Sequence, residues 1–339
     1  MRILFIGGTG TISTAISRRL LEAGHDLYLL NRGNRNRVFP GGAKEILCDI
    51  SDEAVAADKL KGLTFDVVAD FIAFTTDHVE RDYRLFKEKT KQYVFISSAS
   101  AYQKPLADYR ITESTPLANP FWEYSRNKIA CEDFLLKKYR EEGFPITIVR
   151  PSHTYDERSV PLGVHGKNGG WQVVKRIIDG KPVIIHGDGT SLWTMTHNSD
   201  FAIGFTGLLG NIHAIGEAVH ITSDETLTWN QVYTTVAEAL GKPLKAVHIS
   251  SEFLDLCGKS YGFLGGLIGD KANSVVFDNA KLKRLVPGFT ATVRFDQGIR
   301  QTIEYILAHP ECQKEDADFD AWCDKVIAAR EKALKELTG

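Results

Sequence analysis

The sequence predicts an α/β fold, a doubly wound parallel sheet followed by a smaller second region, and three observations carry that prediction. Short apolar runs bounded by turn residues recur through the first half, segments of helical periodicity alternate with them, and the first run leads straight into a glycine-rich turn and a helix. Regular alternation of this kind marks a parallel sheet covered by helices on both faces. Near-continuous apolar runs are what strands buried on both faces require.

Taken in order, Arg2–Ile6, Asp26–Leu30, Glu45–Cys48, Asp66–Ile72, Tyr93–Ile96 and Ile146–Val149 read as strands. Ile12–Ala23 reads as the first helix, with Ile12, Ile16 and Leu20 on one face and Gly24 suited to a left-handed cap. Thr76–Lys89 and Trp122–Glu142 read as later helices. After about residue 151 the rhythm breaks, and Gly163–Gly170 and Gly180–Gly189 read as loops around one helical stretch, Trp171–Asp179. Thr228 and Gln231 have the spacing of a capping box at the start of a helix reaching Leu240. A helix around Gln297–Leu307 stops before Pro310. From Gln313 to Gly339 a charged segment carries Phe319, Trp322, Val326 and Ala329 at helical intervals, as an amphipathic tail helix packed on the body would.

Composition narrows the function. The 339 residues are 43% hydrophobic and 25% charged, the balance of an ordinary globular protein. With 41 Lys+Arg against 43 Asp+Glu there is no broad positive field, so neither nucleic acid nor an anionic membrane is an expected partner. The five cysteines are widely spaced without a C-x-x-C, which argues against disulfides and structural zinc and favours a reducing compartment. No His/Cys/Asp/Glu grouping has metal-ligand spacing, so no metal is expected. MRILFIGG is too short an apolar start for a signal peptide, and a cytoplasmic location is the expectation.

The run from Ile3 through Gly7, Gly8, Thr9, Gly10, Thr11 and Ile12 sets a strand, a glycine turn and a helix start in succession. Residues without a Cβ let the backbone approach a pyrophosphate, whose charge then lies at the helix amino end. Gly7 and Gly10 suit those roles, and Ser13 stands where a third small residue allows close helix packing. A mere tight connection is the structural alternative. Gly163–Gly170 and Gly262–Gly269 have similar glycine spacing without the strand and helix around them, and read as loops. Where an acidic residue would hold the adenosine ribose of NAD stands Asn31, followed by Arg32, Arg35 and Arg37. The cofactor expected is NAD or NADP, and guanidinium groups matching a 2'-phosphate tilt the choice to NADP. Asp49, with Ile50 beside it, stands where it can accept from the adenine amino group.

Tyr124 and Lys128 lie four residues apart, on one helix face. Tyr83 and Lys87 have the same spacing, so spacing alone decides nothing. The strand Tyr93–Ile96 ends in Ser97, Ser98, Ala99 and Ser100 just before the Tyr124 helix, and ligands gather at the carboxyl ends of strands in such a sheet. No serine strand precedes Tyr83, which is assigned to packing. Tyr124 as acid/base, Ser98 holding the reacting oxygen and Lys128 favouring the phenolate and binding the nicotinamide ribose form the expected catalytic set. A strand-end cap, an interface aromatic and a solvated charge are the structural alternatives.

Gly7-Gly-Thr-Gly10, Ser97-Ser98 before Tyr102, Tyr124-x-x-x-Lys128, Arg150-Pro151 and Gly187-Asp-Gly189 together resemble the extended short-chain dehydrogenase/reductase superfamily over roughly residues 1–310. Within it the chain looks like the NAD-dependent epimerase/dehydratase group, whose best-known members act on nucleotide-sugars. The resemblance implies a Rossmann-like sheet and a discontinuous substrate domain. Residues 1–160 and 197–222 would bind the dinucleotide, 161–196 and 223–310 the substrate, and 311–339 would form a helical tail. Helix Asp200–Leu209 and strand Ala218–Ile221 would return to the sheet. It selects Ser98, four residues before Tyr102, and implies a homodimer through two helices that include the one carrying Tyr124.

Two departures limit the resemblance. Ala99-Ser100 replaces the acidic pair of 4,6-dehydratases, and Ser191-Leu192-Trp193-Thr194 replaces the diphosphate-clasping arginine of UDP-sugar epimerases. Trp193 could stack on a sugar ring or an aromatic substrate. Ser100, His153 and Tyr155 are the other candidate substrate contacts, while Arg176 and Arg284 are either anion contacts or surface charges. The expected activity is an NAD(P)-dependent sugar or nucleotide-sugar epimerase or oxidoreductase. The alternatives are an NADPH-dependent carbonyl reductase and a non-catalytic RNA-binding protein on the same fold.

Overall fold

The computed structural model describes residues 1–33 and 41–339. Arg35 and Arg37 lie outside the described residues. Strands β1 (Arg2–Ile6), β2 (Asp26–Asn31), β3 (Lys44–Leu47), β4 (Val67–Asp70) and β5 (Tyr93–Ile96) join strands Ile146–Pro151 and Ala218–Ile221 in one sheet. Its order is Ala218–Ile221, Ile146–Pro151, β5, β4, β1, β2, β3, with every neighbouring pair parallel. The chain is an α/β protein with a Rossmann-like sheet. Between β1 and β4 the winding reverses direction, and the turns that follow these two strands open the crevice where such sheets take their ligands.

Side chains alternate across β1. Ile3 and Phe5 point to the face covered by α1 (Thr11–Glu22) and α6 (Asn198–Leu208), where Ile16, Leu20, Phe201 and Phe205 close over them. Leu4 and Ile6 point to the other face, under α3 (Thr76–Phe86) and α4 (Glu123–Glu142), among Val79, Phe86, Cys131 and Leu135. Each buried side chain of this size contributes roughly 1.5–3 kcal/mol. The remaining helix on this half, α2 (Glu53–Lys59), starts at Asp52, whose carboxylate accepts from the Val55 N–H.

A third core builds the rest of the molecule. It contains α5 (Trp171–Ile178), α7 (Trp229–Ala239), α8 (Ser251–Cys257), α10 (Phe295–Ala308) and α11 (Ala317–Thr338), while α9 (Ala280–Leu285) returns Leu282 to the sheet. The capping box at α7 forms as the spacing predicts: Thr228 Oγ1 accepts from the Gln231 N–H at 3.1 Å, and Gln231 Oε1 accepts from the Thr228 N–H at 2.8 Å. The tail helix buries Phe319, Cys323, Val326 and Ile327, whereas Ala329 is exposed.

Several local expectations change. β4 ends at Asp70, two residues early, because Asp70 Oδ1 accepts from the Ile72 and Ala73 N–H groups and turns the chain. Strand Val183–His186 occupies the middle of the expected Gly180–Gly189 loop and pairs with Ala246–Ile249. The expected Gly262–Gly269 loop is mostly helix, a π-helix over Leu264–Lys271. Gly265 serves close approach there: a Cβ on it would lie 2.3 Å from Trp122 Cδ1. Arg176 is neither an anion contact nor a surface charge. It is 1% exposed and donates at 2.6 Å to both Asp320 and Asp324, tying α5 to α11.

Candidate active site

The glycine turn follows β1 at the switch point. Gly7 and Gly8 have φ of +91° and +109°, where a side chain is strained. A Cβ on Gly8 would also lie 2.8 Å from Leu29 Cδ2. Gly8 therefore shares the role assigned to Gly7, a need that the glycine doublet itself signals. Gly10 differs: it caps α1 at φ −93°, and a Cβ there would meet only Ser13 Oγ, at 3.7 Å. The space beyond Gly10 is open. Ser13 Oγ accepts from the Gly10 N–H at 2.9 Å, so this serine pins the turn while remaining small enough to stay buried. No acidic residue stands in the first turn of α1, leaving its amino end positive for an anion. A cavity of about 230 Å³ opens against Thr9, Gly10 and Thr11, and its lining holds Arg158 and Lys314 together with Asp156 and Glu311. These features fit a dinucleotide diphosphate.

Beside β2, Asn31 Oδ1 accepts from the Gly33 N–H at 2.8 Å, and Arg32 Nη1 lies 3.9 Å from Asp49 Oδ2. Asp49 Oδ1 accepts from both the hydroxyl and the N–H of Ser51, which holds its carboxyl below the usual range. The expected contact between Asp49 and an adenine amino group thus competes with Ser51 and Arg32. Ile50 is buried in the core.

Ser98, Tyr124 and Lys128 meet at the carboxyl end of β5. Lys128 is 2% exposed and donates to Ala73 O at 2.6 Å and Ile96 O at 2.7 Å, with its ammonium 5.7 Å from the centre of the Tyr124 ring. Burial lowers its pKa to about 8, against the pull of Asp70 and Glu132. Burial raises the Tyr124 pKa, and the neighbouring Ser98 hydroxyl opposes that rise. The floor below is a buried polar cluster whose centre, Glu132, no local motif signals. Glu132 of α4 accepts from Ser97 Oγ at 2.5 Å and from Arg150 Nε at 2.9 Å, so it ties the serine strand end, the tyrosine helix and strand Ile146–Pro151 together.

The candidate substrate contacts divide. His153 lines a second cavity of about 180 Å³ with Thr11, Tyr155 and His165. Burial, helped by the charge of Lys271, lowers the His153 pKa to about 3, so its imidazole is neutral. Tyr155 is buried, and its hydroxyl occupies the space that a Cβ on Gly298 of α10 would need. The other two candidates are less accessible than their sequence positions suggest. Trp193 is 3% exposed and packs against Trp229, ring centres 5.7 Å apart, so its ring is part of the core. Ser100 is 5% exposed, and its hydroxyl bonds Ser98 and Ser125 rather than facing the cavities. Sequence reasoning missed Asn119, which is 2% exposed and bridges the serine loop, α4 and the π-helix.

Comparison with known proteins agrees with this construction. The model of the NAD dependent epimerase/dehydratase family matches residues 3–221. The chain is 26% identical over 294 residues to the 2'-dehydrokanamycin reductase of Streptomyces kanamyceticus, covering 85% of this chain and 80% of that protein. It is 25% identical over 346 residues to the N-acetyl-alpha-D-glucosaminyl-diphospho-ditrans,octacis-undecaprenol 4-epimerase of Escherichia coli O157:H7, covering 94% and 98%. In fold it is similar to a dTDP-glucose 4,6-dehydratase from Bacillus anthracis solved in complex with NAD. That match has a TM-score of 0.72 at 19% identity, over 92% of this chain and 98% of that one. The chain is an enzyme and belongs to the NAD dependent epimerase/dehydratase family.

Proposed function

We propose that this enzyme moves hydride at an alcohol or carbonyl carbon of a sugar or nucleotide-sugar, with Tyr124 as acid/base and NADP as the preferred dinucleotide. The observation that carries the proposal is the meeting of Ser98, Tyr124 and Lys128 at the strand ends, beside a glycine turn open to a diphosphate. Gly7, Thr9, Gly10, Thr11 and Ile12 would hold the diphosphate. Asn31, Arg32 and Arg35 would hold the adenosine ribose and its 2'-phosphate, Asp49 and Ile50 the adenine, and Lys128 the nicotinamide ribose. When bound, the nicotinamide supplies the hydride acceptor or donor. Tyr124 takes the hydroxyl proton as the carbon is oxidised and returns it on reduction. Ser98 donates a hydrogen bond to the same oxygen. The Lys128 charge favours the phenolate against the burial that raises the Tyr124 pKa. His153 and Tyr155 would stand on the substrate side, where a neutral imidazole suits hydroxyl groups.

The names of the two relatives, a 2'-dehydrokanamycin reductase and an N-acetyl-alpha-D-glucosaminyl-diphospho-ditrans,octacis-undecaprenol 4-epimerase, support both net reduction and epimerisation within one chemistry. Heating the purified protein and identifying the released nucleotide by mass spectrometry separates them. Retained dinucleotide favours epimerisation, and an empty site with exchangeable NADPH favours reduction. Turnover is then sought with UDP-hexoses and with ketosugars. A Tyr124→Phe enzyme that turns over an identified substrate at the wild-type rate removes the acid/base assignment. Cytoplasmic location and a homodimer through two helices that include α4 belong to the same proposal, and light scattering on the purified protein tests the dimer. No helix among the described residues is long and apolar enough to cross a membrane.

A further inference from the structure

Four polar side chains around the serine loop form a connected chain. Asn119 Nδ2 donates to Ser100 O at 2.9 Å and to Gly269 O of the π-helix at 2.8 Å, and it faces Ser125 Oγ at 3.3 Å. Ser125 Oγ donates to Ser100 Oγ at 2.8 Å, and Ser100 Oγ lies 2.8 Å from Ser98 Oγ. The Ser100 N–H also donates to Ser98 Oγ, at 3.2 Å.

A hydroxyl has one hydrogen to give and two lone pairs to fill, so a chain of hydroxyls has a direction. The amide nitrogen of Asn119 spends its two hydrogens on the carbonyls of Ser100 and Gly269 and accepts none itself, so the Ser125 hydrogen goes to Ser100 Oγ. Ser100 then has one lone pair filled and one hydrogen to place. Giving that hydrogen to Ser98 satisfies it inside the protein. If Ser98 donated to Ser100 instead, the Ser100 hydrogen would be buried without an acceptor, at a cost of order 1–3 kcal/mol. With hydrogens arriving from both the N–H and the hydroxyl of Ser100, the Ser98 oxygen is filled as an acceptor. Only its own hydrogen remains, and it points to the crevice.

We propose that Asn119, Ser125 and Ser100 are positioning residues that form a directed hydrogen-bond array and fix Ser98 as a donor to the reacting oxygen. The proposal rests on the role given to Ser98 above. It adds a constraint on the substrate, whose atom facing Ser98 must accept a hydrogen bond, as a carbonyl, alcohol or alkoxide oxygen does and an ammonium group does not. The bond from Asn119 to Gly269 ties this constraint to the π-helix, so the π-helix and the serine loop are held as one unit.

Neutron diffraction from a deuterated crystal of the full chain reads the direction without any substrate. The expected result is a Ser100 deuterium on the line to Ser98 Oγ and a Ser98 deuterium pointing away from Ser100. A Ser98 deuterium on the line to Ser100 overturns the proposal. A second measurement follows Tyr124 ionisation by ultraviolet difference titration, each variant being read against the same variant carrying Tyr124→Phe. Ser98→Ala raises the Tyr124 pKa by about one, the worth of one lost hydrogen bond to a charged oxygen. Ser125→Ala raises it by about half as much, because Ser98 and Ser100 can then exchange direction. In Ser98→Ala/Ser125→Ala the value matches that of Ser98→Ala alone, since Ser125 acts only through Ser98. An unchanged Ser125→Ala, or a double variant in which the two shifts add, overturns the array. Failure of the underlying reading looks different: the hydrogens are ordered as described, yet Ser98→Ala turns over an identified sugar at the wild-type rate.

Discussion

Two tyrosine–lysine pairs at the same sequence spacing stand on neighbouring helices, and they differ in everything except their own geometry. In Tyr124–Lys128 of α4 and in Tyr83–Lys87 at the end of α3, the ammonium lies 5.7 Å from the centre of the ring. Tyr83 packs against Phe134 and Phe144, the latter just before strand Ile146–Pro151 begins, and so it sits at the amino end of the sheet. Its hydroxyl donates to Glu142, and its lysine is exposed. Tyr124 sits at the carboxyl end beside Ser98, and its lysine is sealed under the loop after β4. The pair supplies a phenol and a cation; the end of the sheet decides whether a ligand can meet them.

The largest expected effect tests that distinction directly. Tyr124→Phe lowers kcat on an identified sugar substrate by about 10²–10⁴-fold, the range for a positioned acid/base, and leaves dinucleotide affinity unchanged. Tyr83→Phe stays within about two-fold of wild type, because its hydroxyl touches only a surface carboxylate. Steady-state kinetics on both variants with a fluorescence titration of NADPH makes the comparison, and equal losses would break it.

Strand order made the Tyr124 pair legible before any coordinates. The runs from Ile3 and Tyr93 are buried on both faces, so their composition announces them, and Gly7–Gly8 and Ser97–Ser98 follow them directly in sequence. What stayed hidden depends on partners far along the chain. Arg176 looked like a surface charge because Asp320 and Asp324 lie more than a hundred residues away. Trp193 looked free to stack because nothing local announces Trp229. Asn119 carries no motif, since its meaning is the carbonyl of Gly269. The π-helix was hidden for another reason: its glycines are poor helix formers, and two of them, Gly265 and Gly269, are tolerated because Trp122 and Phe121 press closely on them.

The lysines give the next effect. Lys128 has a folded pKa of about 8 against the ordinary 10.5, so between these values the unfolded chain binds more protons than the folded one. Stability therefore rises with pH through that window, by of order 3 kcal/mol in all, complete once the unfolded lysine is neutral as well. Lys128→Met lacks this gain. Urea unfolding of wild type and variant near pH 7.5 and near pH 10 should show the wild type gaining on Lys128→Met as pH rises, whereas Lys87→Met follows the wild type at both. A Lys128→Met difference that does not change with pH would mean that its ammonium is not buried as described. Turnover of Lys128→Met also falls, because the charge favouring the Tyr124 phenolate is gone.

The smallest effect separates the two phenols by the cause of their raised pKa. For Tyr83 the first cause is its hydrogen bond to the Glu142 carboxylate, whose charge also opposes ionisation; for Tyr124 it is burial. Glu142→Gln should therefore lower the Tyr83 pKa toward that of a free tyrosine and leave Tyr124 where it is. The Lys138–Glu142 ion pair is lost as well, but as a partly exposed pair on one helix it adds little to stability, and the thermal midpoint should barely move. Salt offers the same test without a mutation. At about 1 M ionic strength the charge effect at Tyr83 is screened and its pKa falls, while at Tyr124 the leading cause is desolvation, which salt does not screen. Difference titrations against Tyr83→Phe and Tyr124→Phe read each phenol separately. If both respond to salt alike, the crevice around Tyr124 is wetter than its packing under Phe74 and Trp122 indicates.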